Sequence, residues 1–151
     1  MNLQESIRRI LREETNPTDI SSYLDVLPFY KLPYPYQKSL IIFRNEGLTN
    51  DDDIKDLIDD ELKTIKKRKV YYYGNVPIKL IEDEVTQRLG WNNFEDYHKW
   101  YGDEETDHGD SVLPIIIDFN DEELIIDGWH RFHSYVRKGL TKIPVLGIYS
   151  D

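Results

Sequence analysis

The chain contains no cysteine. That absence excludes disulfides, thiolate catalysis and cysteine-ligated zinc together, and it makes a reducing cytoplasm the natural setting. No apolar run in the sequence approaches the ~18 residues of a membrane-spanning helix. The opening MNLQESIRRILREET lacks the apolar core of a signal peptide. Positive charge is also scarce: 19 Lys and Arg face 29 Asp and Glu, for a net charge of −10. A field of that sign repels a phosphate backbone. It counts against a protein that coats DNA by electrostatics alone, although a local basic patch can still act. What remains is 39% apolar and 32% charged, the balance of a globular chain rather than a disordered one. Its 151 residues are enough for one domain with a core.

Residues 2–14 read as an amphipathic helix, with Leu3, Ile7, Ile10 and Leu11 on one face. This opening resembles short leader segments of tailed-phage proteins. Asn16-Pro17 breaks it, and Thr18 or Asp19 is placed to cap a short helix through Leu27. LPFYKLPYPY, Leu27 to Tyr36, is expected to run extended, with its prolines spaced among aromatics. Gln37 to Asn45 reads as a helix ended by Gly47. Asn50 caps a stronger one, with Asp51, Asp52 and Asp53 in its first turn and Lys66, Lys67 and Arg68 in its last. Its buried stripe is Ile54, Leu57, Ile58, Leu62 and Ile65. The run KKRK is a solvated helix end or a nucleic-acid patch.

After Val70 the pattern changes. VYYYGNVPIKLI alternates as a strand, with Gly74-Asn75 as a candidate turn. Trp91 to Tyr101 reads as a short helix with Phe94, Tyr97 and Trp100 on one side, and GDEETDHGD as an acidic loop. LPIIIDF is a continuous apolar run of buried-strand type, joined by an Asn120-Asp121 turn to ELIID. A helix from Trp129 to Lys138 ends at Gly139, and IPVLGIY is the last buried strand. The expected fold class is α+β: a helical N-terminal portion over residues 1–69, then a small mixed-sheet domain over 70–151. No flexible linker separates them.

The densest chemistry lies in IIDGWHRFHSYVRKG, Ile125 to Gly139. A strand ending at Asp127 and a helix starting near Trp129 leave backbone N–H groups without helical acceptors. Those donors and the helix dipole attract an anion. Gly128 lets a ligand approach the backbone. Arg131 can grip phosphate oxygens in a bidentate way, and His130 can bind phosphate or move a proton near neutral pH. Asp127 can cap the helix or help hold a magnesium ion. Helical spacing puts Trp129, Phe132, His133 and Val136 on one face, and His130, Ser134 and Arg137 on another. The plain alternative is a routine Asp-Gly turn between strand and helix.

The ordered set LPIIIDFNDE…ELIIDGWHRFHSYVRKGLTKIPVLGI, spanning Leu113 to Ile148, resembles the ParB/sulfiredoxin-like superfamily. The shared features are a strand, a Gly-x-His-Arg turn, a helix, the pair Gly139-Leu140 and the strand Ile143-Pro144-Val145. The resemblance implies a small α+β domain whose turn, here Gly128, Trp129, His130 and Arg131, binds nucleotide phosphates. Superfamily members include sulfiredoxins, CTP-dependent partition proteins, a free-serine kinase and nucleases. Sulfiredoxins carry a cysteine where Trp129 stands, so that activity is excluded. Partition proteins continue into a helix-turn-helix DNA reader, and this sequence closes at Asp151. The small residues usual in the helix are here Ser134 and Tyr135. No match to the family's first helix is visible in Glu82–Tyr101.

Outside the turn, Glu82, Asp83 and Glu84 are candidate bases or metal ligands, or else loop charges. His98 and His108 are distant candidates for a zinc site with His130. His108, Ser111 and Ser134 are possible accessory residues. The sequence therefore points to a nucleotide-binding domain taking ATP, ADP or CTP, with Mg²⁺. Its expected chemistry is phosphoryl transfer or nucleotide hydrolysis, with His130, Glu82 and Asp127 as the catalytic set. One alternative is a metal-dependent DNA nuclease, which the net charge disfavours. Another is a non-catalytic interaction module, of viral type, that holds a protein partner through residues 1–69.

Overall fold

Three consecutive isoleucines, Ile115, Ile116 and Ile117, are all fully buried. A strand with no wet face needs cover on both sides, and the architecture supplies it. The structure, a computed structural model, describes residues 19–45, 47–63, 69–102 and 113–150. The expected helix over residues 2–14, Ile65, the Lys66–Arg68 run, and the acidic loop with His108 and Ser111 lie outside the described residues.

Among the described residues are the strands β1 (Asp25–Pro28), β2 (Val70–Pro77), β3 (Ile115–Asp118), β4 (Ile125–Asp127) and β5 (Lys142–Ile148). The helices are α1 (Tyr34–Arg44), α2 (Asp51–Lys63), α3 (Ile78–Leu89), α4 (Phe94–Tyr101) and α5 (Trp129–Arg137). The strands form one mixed sheet in the order β1-β2-β5-β3-β4. Only β3 and β5 run parallel; the other neighbours are antiparallel. The fold is α+β. One face of the sheet packs Ile116, Leu146 and Tyr71 against Leu40 and Ile41 of α1 and Ile54 and Ile58 of α2. The other packs Ile115, Ile117, Ile143 and Val145 against Ile81 and Val85 of α3, Tyr97 of α4 and Phe132 and Tyr135 of α5. Each fully buried isoleucine contributes about 1.5–3 kcal/mol of apolar transfer.

Several expectations need correction. Asp19 does cap a turn, accepting from the Ser21 N–H at 3.0 Å. That turn is a short 3₁₀ segment, Ile20–Tyr23, and β1 follows instead of a helix to Leu27. Residues 25–28, inside the portion expected to be helical, thus add a strand to the sheet beside β2. LPFYKLPYPY is not extended throughout. It holds the end of β1, a second 3₁₀ turn at Phe29–Lys31 and the start of α1, where Pro35 occupies the first turn. Proline tolerates that position because first-turn N–H groups have no helical acceptor. Asn50 caps α2 as expected, accepting from the Asp52 N–H at 2.8 Å, but Leu62 on the expected buried stripe is exposed.

No turn forms at Gly74-Asn75. β2 runs straight through, with Gly74 opposite Val145 and Asn75 opposite Pro144. Glycine is needed there for a close approach: a Cβ would sit 2.5 Å from the Tyr23 carbonyl oxygen. Ile78-Lys79-Leu80-Ile81 is helix, not strand, because α3 begins directly after Pro77. A helix therefore does follow the first strand of the 70–151 portion, where none was legible. Glu82, Asp83 and Glu84 sit within it rather than in a loop. Glu84 pairs with Arg88 at 2.9 Å, and Arg88 donates to the carbonyls of Phe119 and Asp121, tying α3 to the β3–β4 turn.

Candidate functional site

The turn from β4 into α5 is set by two local facts. Gly128 is left-handed, with φ of 92°, a conformation that disfavours any side chain. A Cβ at this position would also lie 3.2 Å from Cγ2 of Ile115 on β3. The glycine is thus required by the packing of the turn on the sheet, whatever a ligand asks of it. α5 then starts at Trp129, and the Phe132 N–H donates to the Gly128 carbonyl at 2.8 Å. The cap position of this helix falls on Gly128, which has no side chain to cap with, and not on Asp127.

A cavity of about 580 Å³ opens at this end of α5. Asp127, Gly128, Trp129, His130 and Arg131 form one wall, Tyr97, Trp100 and Tyr101 of α4 form another, and Leu89, Glu123 and Ile126 complete it. The structure therefore gathers the whole expected turn, Gly128 to Arg131 with Asp127, in one concave place. Glu82 is not on its wall; α3 contributes Leu89. Burial, with help from Asp83, pushes the Glu82 carboxyl above its ordinary range, but at another location. Ser134 is buried and does not line the cavity, so it does not share a wet face with exposed His130.

Arg131 is half-buried, and its Nη1 donates to the Pro114 carbonyl at 2.7 Å. The same oxygen accepts from Ser39 Oγ at 2.8 Å, and Tyr135 donates to the Leu113 carbonyl at 2.7 Å. These bonds fix the entry to β3. Arg131 thus has a structural task beside any ligand contact, and a guanidinium has five N–H donors to divide between them. His130 is exposed, with Nδ1 3.0 Å from the Tyr101 hydroxyl.

Sequence reasoning missed the contact between α4 and α5. His133, fully buried, has Nε2 2.9 Å from the Tyr97 hydroxyl and Nδ1 2.7 Å from Nδ1 of His98. The Tyr101 ring stacks on the His133 ring with centroids 3.8 Å apart. Burial, then His98, Arg137 and His130, lower the His133 pKa to about 3. Burial, then Tyr101 and Glu123, push the Tyr97 phenol up. Spacing had put Phe94, Tyr97 and Trp100 on one helix face and His133 on another, but nothing in it showed that the two faces meet. His98 thus has His133 as its neighbour, and His108, the third histidine of the zinc reading, lies outside the described residues. Among the described residues no group of three or more His, Asp or Glu is arranged to hold a metal.

A second cavity, of about 500 Å³, lies between α1 and α2 near Arg44 and Lys69. Arg44 is bonded within the protein, to Glu61 at 3.3 Å and to the Tyr71 hydroxyl at 2.7 Å. No helix among the described residues is long and apolar enough to cross a membrane. No family model matches the chain, and comparison with curated proteins and with solved structures finds no match either.

Proposed function

We propose that the cavity at the start of α5 binds a nucleotide by its phosphates, in the manner of the ParB/sulfiredoxin-like domains that the sequence resembles. One observation carries the reading: a single cavity of about 580 Å³ joins the Gly128–Arg131 turn to aromatic rings and to two carboxylates. That volume suits a small ligand. The rings of Trp100, Tyr101 and Trp129 offer flat faces for a base. The amide end of α5, with its positive dipole, favours phosphate, and Arg131 and His130 add side-chain donors at the same place.

Mg²⁺ fits this donor set as a shared ion, because it takes one or two protein carboxylates and leaves its other positions to phosphate and water. Asp127 and Glu123 are the two carboxylates on the wall. Such an ion neutralises charge on the transferred phosphoryl group. The residues of this chain hold the phosphates, exclude water with the aromatic wall and move a proton at the His130 ring. The reaction class is phosphoryl transfer or nucleotide hydrolysis, which depends mostly on positioning and charge neutralisation.

A thermal-shift screen with ATP, ADP, CTP and GTP, with and without Mg²⁺, tests the reading. A ligand that binds the native state raises the melting temperature by mass action. The expected result is a shift for at least one nucleotide that is lost in His130→Ala combined with Arg131→Lys. Lysine keeps the charge while removing the fork. No shift for any nucleotide, or an unchanged shift in the double variant, removes the proposed site.

A further inference from the structure

The hydrogen bonds through His133 form an unbroken line. Tyr97 Oη is 2.9 Å from His133 Nε2, and His133 Nδ1 is 2.7 Å from His98 Nδ1. Tyr97 lines the cavity, His133 is fully buried, and His98 is half-buried. Each contact needs one proton between its two heavy atoms. With His133 neutral, only two arrangements satisfy both contacts. In one, His98 Nδ1–H donates to His133, and His133 Nε2–H donates to the Tyr97 oxygen. In the other, the Tyr97 hydroxyl donates to Nε2, and His133 Nδ1–H donates to His98. We propose that Tyr97, His133 and His98 form a proton relay that exchanges one proton between the cavity and the outer surface of α4.

The transfer balances without a lasting charge. A proton arrives at Nε2 of His98 as the proton on its Nδ1 passes to Nδ1 of His133. His133 gives its Nε2 proton to the Tyr97 oxygen, and the Tyr97 hydroxyl proton goes to a basic atom in the cavity. Each of the three side chains ends neutral, and the two histidines have changed tautomer. One proton has moved from solvent to ligand, and the reverse sequence removes one.

The surroundings suit transfer by tautomer exchange and oppose stored charge. The groups facing the relay are Tyr101 on α4, His130 and Arg137 on α5, and Glu123 on the β3–β4 turn. Burial, then the neighbouring His98, Arg137 and His130, keep His133 neutral, and burial keeps Tyr97 from ionising. Glu123 shares the cavity wall with Tyr97. Phe94 stacks against both His98 and His133 and holds the two rings nearly coplanar, 12° apart. The relay rests on the nucleotide reading only for what accepts its proton, so its test uses the free protein.

When His98 gains a second proton, its Nδ1 must donate, so His133 must donate from Nε2 and Tyr97 must accept. The ¹³C resonance of Tyr97 Cζ in selectively labelled protein reports that change. The expected result is a step in this resonance at the midpoint of the His98 titration, with His133 remaining neutral, and loss of the step in His98→Gln. His98 is half-buried, so this substitution leaves the core packed. A Tyr97 resonance that is flat in the wild type, or that moves equally in His98→Gln, overturns the relay. A nucleotide screen without shifts removes the proposed ligand and leaves this result unaffected.

Discussion

Nδ1 of His98 and Nδ1 of His133 face each other at 2.7 Å, so one proton lies between them and the two rings cannot both be imidazolium without breaking the contact. This pair, with Tyr101 stacked on His133 and Tyr97 tilted against it, fastens α4 to α5 and so defines one wall of the candidate site.

The first expected consequence is a pH dependence of stability. His133 has its pKa lowered from 6.5 to about 3 in the folded state. Between those values the unfolded chain binds more protons than the native state, so stability rises with pH and falls as the solution is acidified. The slope from this one group is at most about 1.4 kcal/mol per pH unit. Asp118 acts in the same direction, but below its ordinary value of 3.8; hydrogen bonds from Ser150 and Asn120 outweigh its desolvation and hold it low. Glu82 acts oppositely just above 4.5, because burial raises its carboxyl and ionising it costs stability. Thermal melts from pH 7 to 4 should show a falling melting temperature, with a shallower slope in His133→Phe.

Gly128→Ala should be destabilising by roughly 2 kcal/mol, because it forces a side chain into a left-handed backbone. The new methyl also meets Ile115 at about 3.2 Å. For a chain of this size the melting temperature should drop by about 4–8 °C. Gly139→Ala is the control. Its φ is also positive, at 73°, but its Cβ would meet nothing within 4 Å, so the smaller loss there measures the backbone effect alone.

Gly74→Ala tests the reading of β2 as an uninterrupted strand. Its Cβ would sit 2.5 Å from the backbone oxygen of Tyr23. The 3₁₀ turn must then withdraw from the sheet, at a cost of about 1–3 kcal/mol. A chemical denaturation curve with an unchanged midpoint would contradict this packing.

Those glycines also mark how far the sequence was legible. LPIIIDF declared itself because both faces of β3 are covered, so no polar residue interrupts the run. The Asn50 cap and the Gly139 stop were readable because helix ends are satisfied locally. Gly74-Asn75 misled because a glycine imposed by a distant backbone looks the same as one in a turn. Ile78 to Ile81 misled because isoleucine favours strands, and only packing against Val76, Ile117 and Ile143 made the segment helical. At the site, the turn Gly128 to Arg131 was visible in one short stretch. Its aromatic wall was not, because Tyr97 and His133 lie 36 positions apart and meet only in three dimensions.

Tyr101→Phe should keep the stack on His133 and lose the hydroxyl beside His130. Stability should change by less than about 1 kcal/mol, the net worth of one partly exposed hydrogen bond. Nucleotide affinity should fall by roughly threefold to tenfold as His130 loses its orienting partner. Melting curves and a binding isotherm on the same preparation separate the two effects.

Trp100 and Trp129 line the cavity, which makes it optically readable. The most direct measurement is a titration of tryptophan fluorescence with ATP, ADP, CTP and GTP in Mg²⁺, in the wild type and in the His130→Ala, Arg131→Lys double variant. The nucleotide reading predicts saturable quenching by at least one nucleotide, with affinity at least about tenfold weaker in the double variant, the loss expected for roughly 1.4 kcal/mol of phosphate contact. No saturable change with any nucleotide, or equal affinity in both proteins, would contradict it.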